Sequence, residues 1–262
     1  DLRFHSYEFG MTGFTPNDIF TSFPVQDDRP YASLVYVANS RQYVRTNNKS
    51  SLISTFSLGV LGLDIAGNLQ NSVHKVINLD EAMGWHNQIS NGGELTFLYS
   101  VSGQRVRWSN YTDDNSYEIK TAVKGGIGYL TDLTLSLSGR WGRIRSPWWT
   151  FNPQTSEYTE KSAPALATLK SLQKNEFYFW SGVSVHLRAY NVFLQGQTKD
   201  IVVTFESDEL NHAILDMWLG VMAEILHGIR ISYSVRGQTA EIKQGAGNRH
   251  QFWGGIILSV EI

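Results

Sequence analysis

The chain contains no cysteine, which excludes structural disulfides and thiolate chemistry. Proline is scarce, 6 in 262 residues, so little interrupts extended strands. Charged residues make up 18%, against roughly 25% in an ordinary soluble protein. The formal net charge is −2, which offers no excess of positive charge for a polyanion and argues against a nucleic-acid partner. No apolar run approaches the ~18–20 residues that a membrane helix needs. A helical membrane protein is thereby excluded. A membrane β-barrel is not, because its apolar residues alternate with polar ones. Familiar catalytic signatures are also missing: no G-x-S-x-G elbow, no H-E-x-x-H and no P-loop. The seven histidines are not spaced as a zinc site. No leader peptide opens the chain. Asp1-Leu2-Arg3-Phe4 reads as strand, as in a mature or truncated form.

What is present is aromatic residues, at 13%, and period-two alternation. Over residues 177–189, Phe177, Phe179, Val183, Val185, Leu187 and Ala189 share one face, opposite Tyr178, Trp180, Ser184, His186 and Arg188. Over 215–225, Leu215, Met217, Leu219, Val221, Ala223 and Ile225 oppose Asp216, Trp218, Met222 and Glu224. About ten such strands can be read, many about 9–13 residues long, which suits a tilted membrane-spanning strand. The charges Arg140, His186, Arg188, Asp216, Glu224, Arg230, Arg236 and Glu261 fall on the second face. A soluble sandwich also has one polar and one apolar face. Strand length, low charge and aromatic content favour an all-β, antiparallel transmembrane β-barrel, a single domain over residues 1–262.

Connections alternate in length. Turns near 39–50, 108–116 and 226–228 are short, whereas 15–30, 62–93, 191–211 and 237–250 are long and polar. Short turns at one rim and long loops at the other are the outer-membrane pattern. The connector 146–175 falls on the short side yet is long. It holds Trp148-Trp149 and a helix expected at 164–173, and reads as a plug or an interfacial flap.

One helix is expected within the second long loop, over residues 67–78. Leu69, Val73, Val76 and Ile77 space as its apolar face, with Gln70 and His74 together on an adjacent strip. Asp80 follows. A histidine whose tautomer is fixed by a neighbour is a general base for water. The residues alone leave open a second reading, in which Gln70 and His74 only hydrogen-bond at the barrel mouth. Asp27-Asp28-Arg29-Pro30-Tyr31 reads as a loop held by Asp–Arg pairing or as part of the site. Asn17-Asp18, after Pro16, reads as an Asx-type turn.

These segments together resemble the lipid A 3′-O-deacylase family of outer-membrane barrels. The resemblance rests on Tyr7-Glu8-Phe9-Gly10 with Phe14-Thr15-Pro16-Asn17-Asp18-Ile19, on Asp28-Arg29-Pro30-Tyr31-Ala32, and on Leu58-Gly59-Val60-Leu61-Gly62. Gln70-Asn71-Ser72-Val73-His74 and Gly84-Trp85-His86-Asn87-Gln88 follow in order, and Asn191-Val192-Phe193-Leu194-Gln195-Gly196 resembles a later loop element. The resemblance implies a twelve-stranded barrel that removes an acyl chain from lipid A or lipopolysaccharide with the help of Ca²⁺. It puts His74 in the position of the base, Gln70 in that of a polar site residue and Asp80 in that of a nearby acid. It also implies an outer-membrane location and outer-membrane lipid around the wall, and leaves other outer-membrane proteins open as partners.

The chain departs from the family pattern. Ser33 stands where the family has glycine, one residue is missing between Gly62 and Gln70, and the family's Asn-Asp and Tyr-Thr-x-Gly strands are expected before Asp1. Those strands supply the cation ligands and a hydroxyl, so no cation ligand is assigned here. The alternative is a catalytically inactive barrel of this ancestry, a structural or complex subunit. A porin-like barrel passing a small ligand explains neither the Gln70/His74 helix nor the motifs.

Overall fold

The computed structural model describes residues 1–112, 114–156, 158, 175–199, 203–226 and 228–260. Alternation is realised as ten antiparallel strands of 10 to 17 residues: β1 (Leu2–Phe14), β2 (Ala32–Arg45), β3 (Ser50–Leu61), β4 (Glu94–Asn110), β5 (Ser116–Gly128), β6 (Leu130–Arg143), β7 (Phe177–Asn191), β8 (Ala213–Leu226), β9 (Ile229–Gln238) and β10 (Gln251–Val260). Each strand pairs with the next in sequence, so one curled sheet runs from β1 to β10. Among the described residues no ladder joins β1 to β10. At the long-loop rim, the loops beside that seam are tied across it. Asp28 pairs with Arg249, Arg29 pairs with Glu241, and the Gly247 amide donates to the Asp27 carbonyl at 2.8 Å. No helix among the described residues is long and apolar enough to cross a membrane.

The two faces of the sheet have opposite chemistry. Leu133, Leu135, Leu137, Phe179, Leu187, Met217 and Leu219 are exposed on the outer face. Arg140, His186, Arg188, Asp216, Glu224 and Arg236, expected on the other face, are buried in the lumen. They pair there: Arg140 with Glu118 at 2.8 Å, Arg236 with Asp216 at 2.8 Å. An inverted soluble protein of this kind is stable only where hydrocarbon covers the outer face.

The lumen is filled. The connector after β6 turns inward through two 3₁₀ turns, Trp148–Thr150 and Pro153–Thr155. Its main-chain carbonyls are met from around the wall. Gln42 of β2 donates to Trp149 at 2.8 Å, Lys120 of β5 to Trp148 at 3.0 Å and to Phe151, and Arg236 of β9 to Pro153 at 2.8 Å. Of the two readings of this connector, plug and flap, its described residues 146–156 are the plug. The helix expected at 164–173 lies outside the described residues, as does Glu261.

Other boundaries moved. The second strand runs on to Arg45, leaving residues 46–49 as the turn, and the next short turn is 111–115. At the long-loop rim β5 and β6 join through Tyr129 alone. Gly128, at φ +134, makes the reversal there; a Cβ on it would lie 2.0 Å from the Phe97 carbonyl oxygen. After β7 the motif Asn191–Gly196 forms a short helix, α2 (Val192–Gln195), with the Asn191 side chain accepting from the Phe193 amide at 3.0 Å. Val192 and Phe193 join Leu34, Leu61 and Leu130 in a cluster near the long-loop end of the lumen.

Candidate functional site on the outer-loop helix

The second long loop carries the expected helix, α1 (Ile65–Val76), two residues earlier than its apolar spacing indicated. Thr12 and Phe14 of β1 face the lumen, so Met11 and Gly13 between them face outward. Ala66 of α1 and Trp85 pack on that outward side, in a cluster with Tyr31 and Ala82, against Met11 and Ile19. The helix therefore lies outside the wall, at the long-loop rim. Gly67 lets it approach: a Cβ there would meet the Trp85 ring at 2.7 Å. Its remaining apolar side chains, Ile65, Leu69, Val73 and Val76, are exposed.

His74 is positioned by the way the helix ends. Asn78 takes a left-handed conformation, φ +55, just past the C-terminus. The Leu79 amide then returns to the His74 carbonyl at 2.8 Å and the Asn78 amide to the Lys75 carbonyl at 3.4 Å, the Schellman closure. The chain folds back beside α1. Asn71 locks it there through two bonds with Ala82: the Ala82 amide donates to Asn71 Oδ1 at 2.8 Å, and Asn71 Nδ2 donates to the Ala82 carbonyl at 3.2 Å.

The returning segment presents the Asp80 carbonyl to His74 Nδ1 at 2.6 Å. A carbonyl oxygen only accepts, so Nδ1 carries a proton, and in the neutral imidazole Nε2 carries the lone pair. The contact with Asp80 runs through its main chain, not its carboxylate. One turn earlier, Gln70 Oε1 accepts from Trp85 Nε1 at 2.8 Å. This fixes the amide with its NH₂ directed away from the indole, and that NH₂ has no partner among the described residues.

Several other motif residues hold the loops together. Gln88 is buried and accepts from Ser33 Oγ at 2.8 Å, so the serine that replaces the family's glycine serves the loop. Asn87 donates to the Ser22 carbonyl at 2.9 Å. Asp18 accepts from the Phe20 amide at 2.9 Å, the expected Asx turn. Asp28 and Arg29 are buried, paired with Arg249 and Glu241 instead of with each other. Burial alone would raise the Glu241 carboxyl, but Arg29 and Arg188 hold it below its ordinary value. Asn71, Asn78 and Trp85 were not singled out by sequence reasoning as site-forming, although Asn71 and Trp85 lie inside the quoted motifs. Asn78 alone carried a signal, as an asparagine just past a helix end.

Calcium takes six to eight oxygen ligands, several of them carboxylates. Among the described residues no group of three or more His, Asp or Glu side chains gathers that could hold a metal. The donors beside His74 do not make up such a set, so no ligand is assigned.

A family profile described as "Outer membrane protein LpxR" matches residues 2–262. Among solved structures the chain is similar to LpxR from Salmonella typhimurium, with 16% identity and a TM-score of 0.77, over 99% of this chain and 84% of that one. At that identity the likeness speaks for the fold. No curated protein sequence matches the chain. With the profile spanning nearly every residue, and with outward apolar strands around a charged, plugged lumen, the chain belongs to the LpxR family of outer-membrane proteins.

Proposed function

We propose that this protein is a lipid A deacylase-like hydrolase of the outer membrane, cleaving an acyl ester by attack of water with His74 as general base. The observation that carries this reading is the pairing of His74 Nδ1 with the Asp80 carbonyl at 2.6 Å, which in the neutral ring puts the lone pair on Nε2. The substrate class follows from place. The imidazole sits on a helix outside the wall, at the long-loop rim, whose exposed Leu69, Val73 and Val76 offer an apolar surface to acyl chains. Lipid A, or the lipopolysaccharide that contains it, is the acylated lipid of that leaflet.

His74 Nε2 takes a proton from water as the oxygen attacks the ester carbonyl, and returns it to the alkoxide oxygen that departs as the ester C–O bond breaks, leaving a fatty acid and a hydroxyl. The Gln70 NH₂, held by Trp85, is placed to donate to the developing oxyanion. Asp80 acts through its main chain as the positioning group. Ca²⁺ belongs to the proposal through the family resemblance alone. When bound it would polarise the ester carbonyl, and no step here is routed through it.

The test is mass spectrometry of lipid A from cells producing the protein or its His74→Ala variant. Loss of one acyl chain with the first and not with the second supports the reading. Intact lipid A in both favours the alternative, an inactive structural subunit.

A further inference from the structure

The outward face of β1–β5 changes character near the short-turn rim. In the register, Arg45 lies beside Ser50, and Ser50 beside Arg105. With strands ~4.8 Å apart, the two arginines stand about 10 Å from each other across a serine. One step up, Arg3 lies beside Tyr43, its guanidinium 5.2 Å from the ring centre. Arg41 lies beside His5 further up, and Arg107 donates to Thr121 at 2.7 Å at the bulge of β4. All five arginines are exposed, and among the described residues none is in an ion pair. Arg3, Arg45, Arg105 and Arg107 line one open groove of about 720 Å³ with Tyr43 and Leu52. Asp1, at its edge, is its one acidic residue. Elsewhere on this rim the outward positions are aromatic or aliphatic, among them Tyr117, Trp141, Phe177, Leu226 and Val260.

We infer that this groove binds the phosphate of an anionic phospholipid in the leaflet that faces the short turns. Five cations are outside any ion pair on a surface whose neighbours Leu52 and Val123 are apolar and exposed, and anionic headgroups are what a bilayer offers at that depth. Tyr43 and Leu52 accommodate the glycerol and the first carbons of the acyl chains, and the guanidiniums donate forked pairs of hydrogen bonds to phosphate oxygens. An acidic protein would not reach residues on the bilayer side of the wall.

The test is native mass spectrometry of the protein released from nanodiscs of equimolar phosphatidylglycerol and phosphatidylcholine. The expected result is retention of phosphatidylglycerol in preference. That preference falls at least about tenfold in the variant R41Q/R45Q/R105Q/R107Q, given about fivefold per cation near a membrane surface, and is kept in part by the matching lysine variant, which retains the charge without the fork. Inorganic phosphate in excess leaves the lipid bound. Equal retention of the two lipids by the unaltered protein overturns the inference, whether or not the variants fold. So does undiminished preference in the glutamine variant. Displacement of the lipid by phosphate overturns the lipid assignment in favour of a free-anion site.

Discussion

His74 Nδ1 and the main-chain carbonyl of Asp80 lie 2.6 Å apart, joined by a chain reversal that begins at Asn78. The tautomer of the imidazole is thus set by backbone geometry, and a side-chain carboxylate is not needed for it. Substitutions that leave His74 in place but alter the reversal are therefore expected to act on the reaction.

Asn78→Val places a β-branched residue at φ +55, where the strain is about 1–2 kcal/mol or more. The expected outcome is a lowered kcat, while Asn78→Gly retains the rate because glycine accepts that conformation freely. Fatty-acid release assayed on both variants checks this. Equal loss in both would detach the reversal from catalysis.

Gln70→Leu removes the amide donor and leaves the Trp85 indole without its acceptor. A loss of about 10²–10³ in kcat is expected, the size seen when one oxyanion donor is deleted. Trp85→Phe keeps the ring against Gly67 but frees the amide to rotate, so a smaller loss is expected. A Gln70→Leu variant with unchanged kcat and a raised KM would assign Gln70 to binding only.

Much of this was legible in advance, and the reasons are physical. Alternation placed Arg140, His186, Arg188, Asp216 and Arg236 inside, because a strand's side chains have a strict period of two. The apolar spacing of Leu69, Val73 and Val76 placed the helix. The single-residue connection at Tyr129 was not legible, since the reversal resides in the backbone of Gly128. Nor was the Asp28–Arg249 pairing, which joins residues far apart in sequence across the seam. The Asn71–Ala82 clasp depends on a chain reversal that no local pattern announces.

Glu241 ties Arg29, Arg188 and Tyr158 together at the long-loop end of the lumen. Its carboxyl is held below the ordinary value of 4.5, so its contribution is fully present above that pH and is lost as pH falls through the lowered value. Glu241→Gln is expected to cost about 3–5 kcal/mol at neutral pH, where it leaves the buried Arg29 guanidinium without its carboxylate while Arg188 keeps Asp132. The gap from the unaltered protein narrows in acid below 4.5. Denaturant titrations in vesicles across pH measure it, and a gap independent of pH contradicts the assignment.

Leu219→Arg and Val183→Arg place a charge on the hydrocarbon-facing wall of β8 and β7. Each is expected to cost roughly 2–4 kcal/mol of folding into bilayers if near the midplane. Arg at Ser184, which faces the lumen, tests packing there instead. Unimpaired insertion of both wall variants would count against the outward face being in lipid.

The central claim is that His74 Nε2 activates water against an acyl ester of lipid A. Its most direct test is the reaction of purified lipid A with the folded protein in ¹⁸O-labelled water. The account predicts free fatty acid carrying the label from the unaltered protein, and almost none from a folded His74→Gln variant. Labelled fatty acid released at equal rates by the two proteins would contradict it.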